Sequence, residues 1–390
     1  MEFKFSNKVS DMKPSAIREI FKSLTDPSVI SFAAGNPSPL SFPVEKMRNI
    51  AEEIFLTSAS ESLQYGITEG YPILRAQVRE RLKSRFNTGT DDDEVIITTG
   101  GQQGIDLCTK VLVNEGDTVI CENPSFIGAL NSFRSFGANL VGVDVEHDGI
   151  NIEKLESALK AHPNTKIIYV IPTFQNPSGI TTSLEKRKAI IELAKKYNVL
   201  VLEDNPYGEL RFSGEEVPTI KSLDTTGNVL YCSSFSKILS AGMRIGFICG
   251  AKELIQKIVV VKQVNDVHTN QFFQMLASKF ISTYGLDEHI EYCRSLYRDK
   301  CTLMLTELDR QVGDKAVYTR PDGGLFIWLT VKGGDGNEIA KKCLSNKVAV
   351  VTGSSFNPIQ GGPSDSVRLN YSTPSDEQIV EGVKRLAQVL

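Results

Sequence analysis

The sequence predicts an α/β protein: a mostly parallel seven-stranded sheet with one antiparallel strand in a large domain, and a smaller α+β domain beside it. Three observations predict it. Between about residues 93 and 250, short runs that are apolar nearly throughout alternate with amphipathic stretches, as in a parallel sheet covered by helices on both faces. One link between successive runs is too short for a parallel crossover. From about residue 270 come long helical stretches, and after them the pattern changes to mixed short strands and helices.

The runs lie at 95–99, 118–121, 139–145, 166–171, 199–202 and 229–232, with a seventh at 244–249. The clearest helix between them is 182–197. There Leu184, Ala189, Ile190, Leu193 and Ala194 form one apolar stripe, and Thr182 with Glu185 suggests a capping box. Only about ten residues separate the sixth run from the seventh, whereas a parallel crossover takes roughly a dozen or more. The seventh strand is therefore expected to run antiparallel. Helices are expected at 270–282 and 287–312. Strands follow at 323–330, 348–351 and 367–371, with helices at 336–345 and 375–389; Ser375 and Gln378 again suggest a capping box. No low-complexity tract or short-period repeat interrupts the chain. The expected large domain is 46–275, and the small one combines 1–45 with 276–390.

Composition narrows the class. The 390 residues are 41% hydrophobic and 23% charged with a net charge of -4, which gives no footprint for nucleic acid or an anionic membrane. The seven cysteines (Cys108, Cys121, Cys232, Cys249, Cys293, Cys301 and Cys343) are scattered and odd in number, so reduced thiols are expected. His147, His162, His268 and His289 show no metal-ligand spacing. The opening MEFKFSNKVSDMKPS lacks the apolar stretch of a signal peptide, and no run reaches membrane-spanning length. The expected location is the cytoplasm.

Ligands of open parallel sheets bind beyond the carboxyl ends of the strands, so the residues after each run carry the chemistry. After the first comes Gly100-Gly101-Gln102-Gln103-Gly104, which enters a helix and offers free N–H groups to an anion. It is not the glycine fingerprint of dinucleotide sites. Asn176 follows the fourth run, within Gln175-Asn176-Pro177-Ser178-Gly179. The fifth leads into Glu203-Asp204-Asn205-Pro206-Tyr207, and the sixth into Ser233-Ser234-Phe235-Ser236-Lys237, with Arg244 seven positions on. Singly, each has a plain alternative: a tight turn, an Asn-Pro turn, a helix cap, a surface lysine. Together they assemble anion donors, an amide, a carboxylate, a phenol, hydroxyls, a lysine and an arginine at one sheet edge. That set suits a phosphorylated aromatic aldehyde. A lysine bonds the aldehyde, an aspartate keeps a pyridine nitrogen protonated, and serines and arginine bind phosphate.

At this point the chain resembles the fold-type I pyridoxal phosphate (PLP) aminotransferases of class I/II, and within them the branch of 2-aminoadipate and kynurenine aminotransferases. The likeness covers nearly the whole chain. It rests on Ser15-Ala16-Ile17-Arg18-Glu19, Ser31-Phe32-Ala33-Ala34-Gly35-Asn36-Pro37, Gln64-Tyr65-Gly66, Gly70-Tyr71-Pro72-Ile73-Leu74-Arg75, the loops 175–179, 203–207 and 233–237 quoted above, and Val367-Arg368-Leu369.

The resemblance implies roles. Lys237 matches the lysine that bonds the cofactor and shuttles a proton between Cα and C4′. Asp204 matches the partner of the ring nitrogen, and Asn176 and Tyr207 the donors to its phenolic oxygen. Gly101, Gln102, Ser234, Ser236 and Arg244 match phosphate contacts. Phe126 stands where the family stacks an aromatic on the ring, replacing a frequent Tyr or Trp; Ser178 stands where Thr is common. Tyr65 matches a tyrosine lent to the phosphate by a second subunit, which implies a homodimer. Arg368 matches the arginine that grips the substrate α-carboxylate. Gly35 and Asn36 are expected near the substrate, and Arg18 near its side chain, which points to acidic or aromatic substrates. The implied reaction is ping-pong transamination with 2-oxoglutarate as acceptor. Two alternatives stand beside it. One is another PLP reaction on this fold, such as a β-lyase. The other is a non-catalytic PLP effector module of a transcription regulator, against which the family pattern starting near Met12 leaves no room for a preceding DNA-binding domain.

Overall fold

The computed structural model describes residues 3–10 and 26–390. After a two-residue strand, β1 (Ile30–Ser31), the chain builds its main sheet from β2 (Asp93–Thr98), β3 (Thr118–Asn123), β4 (Asn139–Glu146), β5 (Gly149–Ile150), β6 (Thr165–Val170), β7 (Leu200–Asp204), β8 (Val229–Ser234) and β9 (Gly246–Ala251). The strand order is β2-β9-β8-β7-β6-β3-β4-β5. All seven apolar runs are strands, and β9 lies antiparallel to both β2 and β8. The link before it makes only a tight turn, which cannot carry the chain back across the sheet.

An eighth strand extends the expected seven. β5 is a two-residue hairpin return that pairs with the end of β4. Gly149 at the turn has φ 112°, and a Cβ there would meet the Thr182 side chain at 2.7 Å, so both conformation and space require glycine. The same packing corrects the expected capping box at Thr182. Thr182 is buried against this turn, and the helix Leu184–Tyr197 is capped one residue later, where the Ser183 side chain accepts from the Lys186 N–H.

The second sheet comprises β10 (Val317–Tyr318), β11 (Phe326–Thr330), β13 (Val351–Thr352) and β14 (Ser366–Asn370), in the order β10-β11-β14-β13. The expected single strand at 348–351 is divided. Its first half, β12 (Val348–Ala349), pairs in parallel with β1, while β13 pairs with β14. This division ties the segment 30–36 to the C-terminal part of the chain. The long helices are Gln271–Tyr284 and Leu286–Gln311, and the last helix, Asp376–Ala387, carries the expected capping box of Ser375 and Gln378.

Candidate active site

The carboxyl ends of β2, β6, β7 and β8 and the start of β9 meet at one edge. β2 leads through Thr99 and Gly100, at φ 76°, into the helix Gly101–Leu112. Close packing demands glycine here. A Cβ on Gly246 would lie 2.5 Å from the Gly100 carbonyl carbon, and one on Gly100 would run into the Arg244 guanidinium. Arg244 itself adopts the left-handed conformation, φ 56°, and its Nη1 donates to the Ala241 carbonyl at 3.2 Å and the Ser236 hydroxyl at 3.4 Å. The Ser234 hydroxyl accepts the Ser236 N–H at 3.3 Å. A helix N-terminus, two hydroxyls and an arginine thus converge on one spot, a donor set that fits a phosphate dianion.

Gln102 lies in the first turn of that helix and donates through Nε2 to the Gly128 carbonyl at 2.9 Å. Phe126 caps the next helix, Ile127–Ser135, and its ring packs over Gly128 so closely that a Cβ there would lie 2.5 Å from its Cζ.

Lys237 follows β8 in the turn before Arg244. Its Nζ donates to the Gly35 carbonyl at 2.8 Å. Burial, with Arg368 and Arg244 adding repulsion, brings the ammonium down to about 8, so roughly a tenth is the neutral nucleophile at pH 7. Asp204 ends β7 and is 4% exposed. Burial pushes its carboxyl up to about 7 against the opposing pull of the Tyr169 hydroxyl, which donates to Oδ2 at 2.7 Å, and of Lys237. A cation placed opposite would restore the carboxylate, and a protonated pyridine nitrogen is such a cation.

Asn176, Tyr207 and Arg368 form one cluster. Arg368 reaches over from β14 and is 2% exposed. It lies between the rings of Phe326 and Phe356, with centroids at 4.3 and 5.0 Å. Nη1 donates to Asn176 Oδ1 at 2.9 Å and Nη2 to the Ala33 carbonyl at 2.7 Å. Its Nε is buried without a hydrogen-bond partner, and among the described residues no carboxylate pairs with it. Desolvation lowers even this guanidinium to about 10. A buried cation with an unused donor is costly unless something anionic completes it. The Tyr207 hydroxyl is buried beside Asn176, and its ring meets Phe326 edge-on at 5.7 Å. Gly35 approaches the same arginine: a Cβ there would lie 3.8 Å from Arg368 Nη2. Asn36 is exposed at the rim, its carbonyl accepting from the Ser372 hydroxyl at 2.6 Å.

Tyr65 is the predicted cofactor residue that this chain does not bring to the cluster. It is 80% exposed, its ring edge-on to His268 at 5.7 Å. Arg18 lies outside the described residues. The residues that sequence reasoning missed are Tyr169, which fixes Asp204; Phe326 and Phe356, which sandwich Arg368; and Arg187. The last is fully buried, and its guanidinium binds the Pro172 and Pro218 carbonyls and the Thr173 hydroxyl. It thereby pins the loop that carries Asn176. A charged residue on the apolar side of helix Leu184–Tyr197 was the available signal.

Fold and site together define a PLP-dependent transferase of fold type I. The chain belongs to the class I and II aminotransferases, whose family model matches residues 27–386. It is 38% identical over 391 residues to aromatic-amino-acid aminotransferase 1 of Thermococcus litoralis, covering 99% of this chain and 94% of that one. A kynurenine aminotransferase structure from Pyrococcus horikoshii, solved with PMP, KYN and KYA, superposes with a TM-score of 0.95 at 37% identity, covering 99% and 96% of the two chains. The α-aminoadipate aminotransferase LysN of Thermus thermophilus, solved with N-(5'-phosphopyridoxyl)-L-leucine, gives 0.91 at 37% identity, covering 99% and 97%. The cofactor is pyridoxal phosphate, and the reaction moves an amino group between an amino acid and a 2-oxo acid.

Proposed function

We propose that this enzyme takes an acidic or aromatic amino acid as donor and 2-oxoglutarate as acceptor, in two half-reactions through one site. Arg368, buried between two rings, short of one partner and within electrostatic reach of Lys237, carries the part common to both half-reactions, a site for an α-carboxylate beside the lysine. The relatives named for aromatic amino acids, 2-aminoadipate and kynurenine support the donor class.

Bound PLP supplies a ring that accepts the electron pair released when the substrate Cα loses its proton. Arg368 grips the α-carboxylate with its planar fork, and Asn176 orients that fork. Lys237 would take the proton from the substrate Cα and hand it back on the cofactor side. Asp204 holds a proton at the ring nitrogen, and Tyr169 keeps its carboxylate in line. Asn176 and Tyr207 would donate to the cofactor's phenolic oxygen, and Phe126 would pack against the ring. Gly101, Gln102, Ser234, Ser236 and Arg244 hold the phosphate. Gly35 and Asn36 form the wall beside the substrate, with Arg18 assigned to its side chain. We assign 46–275 to the large domain and 1–45 with 276–390 to the small one; the main sheet (93–251) and the second sheet (317–370) support this division. Seven free cysteines support the cytoplasm as the compartment, and no helix among the described residues is long and apolar enough to cross a membrane.

The test is spectroscopic. Glutamate, 2-aminoadipate, phenylalanine and alanine are added singly, without acceptor, to purified holoenzyme. The acidic or aromatic donors are expected to bleach the cofactor's yellow band with one equivalent of 2-oxo acid released, and 2-oxoglutarate to restore it. Ammonia release without an acceptor would instead establish a lyase.

We also infer a homodimer with Tyr65 completing the partner's phosphate site. Leu56, Leu63, Tyr65 and Ile67 are exposed on one stretch, and Val260, Val264 and Val267 on another that meets it at the Tyr65–His268 contact. Such a patch is typical of an interface. Tyr65→Ala is expected to weaken PLP affinity about ten-fold in a holoenzyme that sediments as a dimer. An active monomeric holoenzyme would remove this role.

A further inference from the structure

Glu122 lies near the end of β3, 1% exposed, and the mechanism above does not use it. No cation offsets its charge among the described residues. Its Oε2 instead accepts two N–H bonds, from the Ile171 backbone at 3.0 Å and from Gln175 Nε2 at 3.2 Å. Gln175 is buried in turn, and both ends of its amide are engaged. Nε2 also donates to the Pro124 carbonyl at 2.7 Å, while Oε1 accepts from the Ser178 N–H at 2.9 Å and the Ser178 hydroxyl at 2.6 Å. Its backbone N–H donates to the Ile180 carbonyl at 2.9 Å. The amide therefore cross-braces the loop whose next residue is Asn176, the acceptor for Arg368 Nη1.

We propose that Glu122 is a positioning residue for substrate recognition: through Gln175 it fixes the Asn176 amide on Arg368 and so sets the fork that receives the substrate carboxylate. The inference rests on Arg368 being that fork. Geometry explains why a distant carboxyl matters, because a displacement of about 1 Å at a binding group costs on the order of 100-fold.

The surroundings also define the form in which Glu122 acts. The groups facing it are the Asp204 carboxyl from β7, the Tyr169 phenol from β6 and the Cys121 thiol on its own strand. None brings positive charge. Burial foremost, with Asp204 adding repulsion, pushes the Glu122 carboxyl up to about 8. At neutral pH it braces the loop as an uncharged acid, leaving Asp204 as the single anion for the ring nitrogen. The unfolded chain releases this proton near 4.3, the folded one near 8. Between those values the folded state holds the extra proton, and the group's contribution to stability falls as pH rises.

The experiment measures kcat and KM for both substrates in Glu122→Ala, Glu122→Gln, Gln175→Ala and Arg368→Lys, and the pH dependence of Tm in cofactor-free wild type and Glu122→Gln. Arg368→Lys is expected to raise both KM values. Glu122→Ala should raise them about 10- to 100-fold with a smaller change in kcat. Glu122→Gln, which keeps an acceptor oxygen, should recover most of that loss and flatten the decline of Tm between about pH 4.3 and 8. Gln175→Ala breaks the same link from its other end and leaves the carboxyl its bond from the Ile171 N–H, so it should reproduce the KM rise and stands in if Glu122→Ala does not fold. A KM rise in Arg368→Lys with none in Glu122→Ala and Gln175→Ala overturns the positioning role alone. Unmoved KM values in all of them overturn the reading of Arg368 as well. Identical Tm slopes overturn the uncharged form.

Discussion

Lys237→Ala is expected to lower turnover about 10⁴-fold or more, with the protein folded and still holding its cofactor. Two losses combine. The substitution removes the nucleophile whose ammonium is brought to about 8 by burial and two arginines, and it removes the base that moves the Cα proton. A positioned acid–base group alone is worth about 10²–10⁴-fold, and loss of the covalent bond adds to it. The phosphate donors do not depend on Lys237, since Arg244 and Ser236 bond one another directly, so cofactor binding should persist. The side chain vacates a partly enclosed position beside the Gly35 carbonyl. A small primary amine in the buffer should therefore restore part of the rate, more so as pH rises and more amine is neutral. Single-turnover kinetics with and without methylamine check this. A variant keeping more than about a tenth of wild-type kcat would show that another residue moves the proton.

Asp204→Asn is expected to lower kcat about 10²–10³-fold, the cost of removing one preorganised charge from a buried site. The asparagine amide is neutral and close in shape, so packing around Tyr169 should survive. It cannot stabilise a protonated ring nitrogen, which matters most when the ring takes up the electron pair. The loss belongs to the transition state, so KM should move far less than kcat. The pH profile carries the sign. Burial raises Asp204 to about 7 and Lys237 pulls it down; a ring cation pulls in the same direction. Binding of cofactor should therefore release a proton from Asp204 near neutral pH, measurable as buffer-dependent binding heat, and this release should vanish in the variant. Equal proton release in both proteins would move the ring partner elsewhere.

Much of this architecture is legible because the main-sheet strands are buried on both faces and so are almost unbroken in apolar residues. The loops after β2, β6, β7 and β8 therefore stand out, and with them Gly101, Asn176, Asp204 and Lys237. What is not legible depends on pairing between distant segments. Tyr169 sits inside an apolar run and looks like core until β6 lies beside β7. Glu122 looks like a strand-end carboxylate until Gln175 arrives from another loop. The cap at Ser183 and the two-residue β5 come together where the turn at Gly149 packs on Thr182 and the Ser183 N–H donates to the Asp148 carbonyl. The division at 348–351 depends on β1, more than 300 residues earlier in the sequence.

That last contact bears on the order in which the protein becomes useful. The main sheet ends with β9 at Ala251, whereas Arg368 stands on β14 and is held by the carbonyl of Ala33 beside β1. In the order of synthesis, every strand of the cofactor cradle precedes the residue that grips the substrate. Competence arrives last, when the newest stretch of polypeptide joins one of the oldest.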